Sequence, residues 1–516
     1  MEPYTAAFLS TVALLLFATF LHHRRRPTTL RLPPGPKPWP IIGNLHLIGS
    51  LPHRSIHHLT QRYGPVLRLK FGSKNVVVFS SVETAKLVLN TMDTNFICRP
   101  KNAAGKHTTY NYTDITWSPY GPYWRQARKL CVIELFSAKR IDSFEYIRTE
   151  EMAALTAAVR RSSGEPVVLR NFLSTMSLNV ISRMVLGRSY LGGAAVDGGD
   201  GRQRAVGGAE FKRMLDELFL LNGVFNVGDW IPWLGFMDLQ GYVRRMKAVS
   251  RKFDGFLEGV LEEHERRRTA EGDGFAAADM VDVLLQLSGD PTLEVKLERD
   301  GVKGFAQDLL AGGTESSTMT IEWAITELLR NPEIFQKATE ELDRVIGRDR
   351  WVKEKDMPDL PYIKAIAKEA MRLHPVAPLL TLRRTREDCK VAGYDIPEDT
   401  RVFVSTWTLG RDPELWDNPL EFCPQRFIEN ETDMKGTNFK FMPFGAGRRM
   451  CPGYSLGLKV IESSLANLLH GFNWKLPGQM TRHDIDMEEI FGLTTPKKNP
   501  LVTVPHPRLP LEMYPI

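Results

Sequence analysis

Disulfide chemistry is missing from this chain. Its five cysteines, Cys98, Cys131, Cys389, Cys423 and Cys451, are odd in number, widely scattered and contain no CxxC pair, which argues against both a disulfide framework and a zinc cluster. Reduced thiols and a cytosol-facing body are expected. Excess charge of one sign is also scarce: 67 lysines and arginines against 61 acids leave +6 over 516 residues, too thin a surplus for a nucleic-acid partner. No GxGxxG turn joins a strand to a helix, so no nucleotide site of the chain's own is expected. No internal repeat occurs, and after Leu21 no uncharged apolar run approaches bilayer length. What is present is ordinary globular material: 43% hydrophobic, 25% charged and 9% aromatic residues, enough for a large core.

Tyr4 to Leu21 carries no charge and, at about 1.5 Å per residue, could cross a bilayer core. His22-His23-Arg24-Arg25-Arg26 follows it, while Glu2 precedes it, the reverse of a cleaved signal peptide. The positive-inside rule then keeps the rest of the chain cytosolic. Leu32-Pro33-Pro34-Gly35-Pro36-Lys37-Pro38-Trp39-Pro40 cannot form helix and reads as a stiff spacer. The expected organisation is an anchor over 1–23, a basic and proline-rich hinge over 24–40 and one body over 41–516. With the body cytosolic, the sequons at Asn111 and Asn430 read as chance matches.

Helical periodicity dominates the body, notably at 81–90, 122–135, 145–161, 211–221, 242–268, 304–330, 331–345 and 362–373. Strands are few: 66–71 and 76–79 look like a hairpin across Gly72-Ser73-Lys74-Asn75, and 402–405 is a later strand. The fold class is therefore mainly α with small β-sheets (α+β). The glycines between Gly192 and Gly208 read as a surface loop. His53 and His57 read as a solvated helix face rather than a metal site.

One decapeptide stands apart: Phe444-Gly445-Ala446-Gly447-Arg448-Arg449-Met450-Cys451-Pro452-Gly453. Its glycines permit a tight turn and close approach to a flat group, and Cys451 stands just before a helical pattern that begins near Tyr454. A thiolate there is stabilised by the helix dipole and by backbone N–H groups, which makes it a soft, anionic, single metal ligand. Phe444, Gly447, Arg449, Cys451 and Gly453 complete an FxxGxRxCxG pattern. The sequence here resembles the cytochrome P-450 superfamily, the haem-thiolate monooxygenases.

The resemblance implies that the body has the cytochrome P-450 fold, preceded by one N-terminal transmembrane helix, and that Cys451 is the axial ligand of haem iron. Glu369-Ala370-Met371-Arg372 is an ExxR whose partners share one helix face. Pro424-Gln425-Arg426-Phe427 resembles the family's PERF segment, with Gln425 in place of glutamate, and implies a Glu369–Arg372–Arg426 network. Trp124-Arg125-Gln126-Ala127-Arg128 resembles the WxxxR that meets haem propionates. Trp124, Arg128, Arg383 and Arg449 are the implied propionate partners, and Phe444 and Gly453 complete the implied cofactor contacts.

Gly312-Gly313-Thr314-Glu315-Ser316-Ser317 interrupts a long helix with two glycines, each costing about 1 kcal/mol relative to alanine. The resemblance implies a groove for dioxygen there, with an acid–alcohol pair; Glu315 and Ser316 occupy the two places, serine standing where the family has threonine. By position, Ile115, Leu309, Gly312, Val376, Leu380 and Leu493 are implied to line the substrate pocket. These are mostly apolar side chains, which suit a hydrophobic small molecule.

The likeness is greatest to plant microsomal A-type enzymes, with relatives among homoterpene-forming enzymes and flavonoid 3'-monooxygenases. It implies NADPH-cytochrome P-450 reductase as electron donor, cytochrome b5 as an accessory one, and the endoplasmic reticulum membrane as location. The implied substrate is a terpenoid alcohol or a flavonoid or phenylpropanoid, hydroxylated or cleaved. A haem-thiolate isomerase or dehydratase would not need Glu315 and Ser316, and a non-catalytic haem protein would need neither that pair nor a basic docking face. Arg125, Arg128, Lys129, Lys440, Arg448 and Lys459 are the cations expected on that face.

Overall fold

The computed structural model describes residues 30–191, 207–429 and 432–515. The anchor over 1–23, the first part of the hinge and most of the glycine-rich loop after Gly192 lie outside the described residues. Among those described, no helix is long and apolar enough to cross a membrane.

Helices form most of the body. The central one, Arg299–Arg330, is roughly 48 Å long at the standard rise and is buried on nearly every side. It packs against Leu169–Leu186, Tyr454–Gly471 and Pro361–Leu373. The helix Leu169–Leu186 escapes sequence reading because twelve of its eighteen residues are buried, so no polar stripe marks its periodicity. The Pro122 pattern is helical only to Leu130 and finishes in one wider π turn, Cys131–Leu135.

Small sheets close one side. Val66–Phe71 and Lys74–Phe79 pair antiparallel with Val66 opposite Phe79, so the hairpin turn is only Gly72-Ser73. Arg401–Val404 adds in parallel to the second of these strands and Arg383–Arg384 antiparallel to Arg401–Val404, giving a four-stranded sheet. The chain end adds Phe472–Lys475 and Val502–Pro507, which meet Val167–Val168 in a second sheet. A two-stranded ribbon joins Cys389–Val391 to Tyr394–Ile396.

Two histidines are buried, His53 against expectation. His53 is not solvated: it is fully buried, tilted against Trp407 at 4.5 Å, and its Nε2 bonds Glu489 at 2.9 Å. His264 is also buried on Tyr242–Glu271, with Nδ1 2.8 Å from Val260 O and Nε2 2.9 Å from Asp279 Oδ2. Both partners are acceptors, which favours the doubly protonated ring. Asp279 and Asp282 also pair with Arg267. Burial pulls the His264 pKa down, but the Asp279 hydrogen bond and charge outweigh it and the net shift is upward. A raised folded-state pKa contributes stability that is complete below about 6.5 and lost as pH rises through the folded value. The difference in denaturation midpoint between the wild type and His264→Gln is therefore expected to be largest at pH 6 and to shrink as pH rises past the folded value. Unfolding curves across pH 6–9 check this.

Candidate active site

The cysteine loop is built by its glycines. Gly445 and Gly447 have φ of +72° and +70°, in the left-handed region that glycine enters without strain. A Cβ on Gly447 would collide with Leu89 O, whereas one on Gly445 would meet nothing nearer than Leu380 Cδ1 at 4.0 Å. The loop therefore presents one open, side-chain-free surface. It closes through Cys451 N–H donating to Phe444 O at 2.9 Å, and the helix Tyr454–Gly471 starts just beyond.

All five cysteines are free. Cys131 is fully buried and its thiol is pushed up to about 12, so it is inert. Cys451 differs in being partly accessible and in facing cationic surroundings. Burial pushes its thiol up, while the Gly453 backbone N–H and the Arg128 charge pull it down.

Four arginines crowd beside this loop, and burial lowers the pKa of each. Arg449 is lowered to about 9 by burial first and then by Arg383; Arg99, which the sequence reading missed, is held well below its ordinary value by burial and by Arg449 and Arg383. Arg383 has the one carboxylate partner of the group, Asp93 at 2.8 Å, and also donates to Ala446 O. Arg99 and Arg449 bond only backbone carbonyls, and Arg128 makes no hydrogen bond or ion pair among the described residues. Buried guanidinium groups in such excess call for an anion. The two propionates of a haem would meet that demand in charge, and the open Gly445 surface beside Cys451 leaves room for a flat ring, so these residues fit the group. Trp124 differs from expectation: its indole N–H is already donated to Ile115 O at 3.1 Å, and its ring supports the Arg449 guanidinium at 4.1 Å.

Between Gly301 and Leu328 the central helix is buried except at Asp308 and in a notch formed by 311–313 and 315–316. The two glycines there do different things. A Cβ on Gly312 would meet nothing within 4 Å, whereas one on Gly313 would lie 2.6 Å from Ile181 Cγ1. Gly312 thus faces open space and Gly313 lets Leu169–Leu186 approach. Gly312→Ala is expected to keep or raise stability, by up to about 1 kcal/mol of helix propensity, while Gly313→Ala lowers it by about 1–3 kcal/mol through overpacking. Denaturation midpoints of the two variants check this ordering.

Glu315 and Ser316 flank the notch but do not bond each other. Ser316 Oγ donates back to Gly312 O at 2.9 Å, and Glu315 Oε2 accepts from Thr494 Oγ1 at 3.0 Å, a partner no sequence pattern announced. Burial raises the Glu315 carboxyl, opposed by Thr494.

The side chains expected around the notch lie on several segments. Leu309 and Ile115 are buried, at 5% and 8% exposure, while Val376, Leu380 and Leu493 are half-buried. Leu380 has φ of +47°, a strained conformation for a leucine, and its tip reaches toward Gly445. Behind the loop, Glu369 and Arg372 form a two-point pair, with both contacts 2.7 Å and no exposed side-chain surface, and Arg426 Nε reaches Glu369 Oε1 at 3.1 Å.

The cytochrome P450 family model matches residues 33–504. Trimethyltridecatetraene synthase of Zea mays is 47% identical, over 99% of this chain and 94% of that protein, and dimethylnonatriene synthase of Zea mays is 47% identical over 95% and 94%. Flavonoid 3'-monooxygenase of Arabidopsis thaliana is 40% identical over 99% and 98%. Among solved structures, a zebra fish cytochrome P450 with abiraterone matches with a TM-score of 0.75 and 26% identity, over 89% of this chain and 100% of that one. A free cysteine on a glycine loop, an uncompensated arginine cluster and this match over most of the chain converge: the protein belongs to the cytochrome P450 family of haem-thiolate monooxygenases.

Proposed function

We propose that this monooxygenase oxidises an acyclic terpenoid alcohol, by hydroxylation or C–C cleavage. The carrying observation is the open space that Gly312 faces on the central helix; Ile115, Leu309, Val376, Leu380 and Leu493 are the aliphatic side chains we assign to its wall. The two homoterpene-forming relatives, at 47% identity, support terpenoids ahead of flavonoids, whose 3'-monooxygenases stand at 40–42%.

When bound, haem would supply oxygen activation, and a thiolate from the protein would donate electron density to its iron. Cys451 would be the iron ligand. Arg99, Arg128, Arg383 and Arg449 would hold the propionates, Trp124 braces Arg449, and Phe444 and Gly453 shape the cysteine loop. Ser316 sends its hydroxyl hydrogen to Gly312 O, which leaves its oxygen free to accept a hydrogen bond from water in the notch. Glu315, raised by burial, holds a proton nearer neutral pH than an exposed carboxylate and can pass it toward that water.

Residues 1–23 anchor the protein in the endoplasmic reticulum membrane, 24–40 form the hinge, and 41–516 form the cytosolic haem domain. A second apolar contact supports this: Trp39 and Ile41 are 58% and 61% exposed, and Trp233, Phe236 and Leu239 are 61%, 86% and 60% exposed. The two groups meet at one turn, where Gly72 N–H bonds Ile42 O and Ser73 N–H bonds Trp230 O. NADPH-cytochrome P-450 reductase supplies electrons, with cytochrome b5 as an accessory donor. Of the cations read from sequence as its docking face, Arg125 pairs with Glu294, Lys459 with Glu354 and Asp142, and Arg448 with Asp93, so exposed Lys129, which has no carboxylate partner among the described residues, is the stronger contributor.

Microsomes holding the protein and the reductase, given NADPH and a panel of acyclic terpenoid alcohols and flavonoids, test the reading by product analysis. Oxidised or shortened terpenoid products are expected, with less product per NADPH in Ser316→Ala. Turnover of flavonoids alone would contradict the substrate assignment.

A further inference from the structure

A second basic cluster uses none of the residues assigned to haem or substrate. On the helix Pro52–Tyr63, Arg54, His57 and His58 stand three and four residues apart, so they share one face. With Trp407 and Arg411 they line an open cavity of about 310 Å³. Trp407 belongs to the short helix Thr406–Leu409, whose start is capped by the Ser405 hydroxyl accepting from Thr408 N–H at 3.2 Å, and Arg411 to the turn after it. His57 Nδ1, 3.2 Å from Thr408 Oγ1, ties the two elements together.

Charge in this cluster is not balanced locally. The buried Trp407 ring carries two guanidinium groups, Arg411 at 3.3 Å and Arg54 at 5.3 Å from its centre. Arg411 has no carboxylate partner among the described residues, its Nη1 is buried without a hydrogen bond, and burial lowers its pKa to about 9. The two carboxylates whose charge reaches it are already paired, Glu489 with His53 and Arg54, and Glu327 with His374 and Arg330. Asp412, next in the chain, accepts from Glu414 N–H at 2.9 Å and is not among the residues that line the cavity. His57 reports the same positive field: burial first, and then His58 and Arg411, lower its pKa.

Water would satisfy a stray N–H group but not the charge, whereas an anion does both. We propose that this cavity is a binding site for a phosphate group, held by Arg54 and His58 from the helix and by the charge of Arg411 from the turn. Arg54 is 46% exposed and gives only its Nε to Glu489, and the exposed His58 ring makes no hydrogen bond among the described residues, so both have donors to offer. A phosphate monoester brings about two charges and three acceptor oxygens to donors on two elements, where a carboxylate brings one charge and two oxygens. Its binding clamps the helix to the turn and so stabilises the fold by mass action. Two sources carry such a group, a soluble phosphate monoester and the headgroup of phosphatidic acid, and the experiment separates them.

The test uses the full-length haem-loaded protein in phosphatidylcholine vesicles at constant ionic strength, titrated calorimetrically with inorganic phosphate. Wild type is compared with His58→Glu, Arg411→Lys and, as an exposed cation elsewhere, Lys337→Gln. Wild type and Lys337→Gln are expected to bind phosphate saturably with Kd at or below about 1 mM, and to gain in denaturation midpoint when it is present. Reversing the charge beside the anion in His58→Glu should weaken binding at least about tenfold. Arg411→Lys keeps the charge but loses the planar stack on Trp407, and should fall between the two. The carbon monoxide spectrum should be the same throughout, and if Arg411→Lys fails to fold, His58→Glu decides. Absence of saturable binding in the wild type, or an unchanged Kd in His58→Glu, would overturn the proposal. The wild-type titration is then repeated in vesicles containing phosphatidic acid or, for the same charge without phosphate, oleate. Weaker phosphate binding with phosphatidic acid than with oleate assigns the site to the headgroup, and equal binding assigns it to a soluble ester.

Discussion

Replacing Arg372 by alanine is expected to abolish the folded, haem-loaded protein. Glu369 and Arg372 have no exposed side-chain surface, and beyond their two-point pair the guanidinium also holds the carbonyls of Gly410, Pro419 and Glu421. Glu369 in turn accepts from Cys423 N–H at 2.8 Å. Removing the arginine leaves a buried carboxylate with Arg426 as its remaining cation, and breaking such a pair costs about 3–5 kcal/mol. Three carbonyls lose their donor as well, at about 1–3 kcal/mol for each that stays dry. Against a total stability of about 5–15 kcal/mol, few molecules remain folded. Arg426→Ala should do less harm, since its side chain is 11% exposed and its remaining partners, Asp417 O and Asn418 O, lie at the surface. Haem content per protein and the denaturation midpoint check both variants. Wild-type values for Arg372→Ala would contradict the assignment of the pair as the structural brace behind the cysteine loop.

Part of this architecture was legible because it follows from local pattern. The ExxR spacing forces Glu369 and Arg372 onto one helix face, and the glycines around Cys451 mark a turn that other residues cannot make. The hairpin at Val66 was legible from β-branched residues flanking a glycine, though the pattern left its turn two residues too long. Leu169–Leu186 was not, because a helix buried all round carries no polar stripe. Arg99 was missed for a different reason: nothing in its neighbours separates it from a surface arginine, and only the fold brings Arg383 and Arg449 beside it. The same holds for His53, whose partner Glu489 lies 436 positions along the chain. Glu315 and Ser316 were found as residues, but spacing could not tell that Thr494 would take the carboxylate and Gly312 O the hydroxyl. Sequence thus identified groups with local geometric causes, and tertiary structure supplied the partners.

The larger expected effect concerns the ligand itself. Cys451 is the free thiol that combines partial exposure, the bare Gly445 surface and an arginine without a carboxylate partner nearby. A metal ion deprotonates a coordinating thiol outright, so the upward push of burial on the free thiol does not prevent ligation. Serine keeps the size of the side chain but replaces the soft, polarisable donor with a hard oxygen of much higher pKa. The most direct measurement is the carbon monoxide difference spectrum of the reduced protein, recorded for wild type and Cys451→Ser beside circular dichroism of each. The wild type should show the strongly red-shifted Soret band of a thiolate-ligated haem, and Cys451→Ser should lose it with helix content unchanged. A Cys451→Ser protein that keeps the band would show that another residue holds the iron, and would contradict the account.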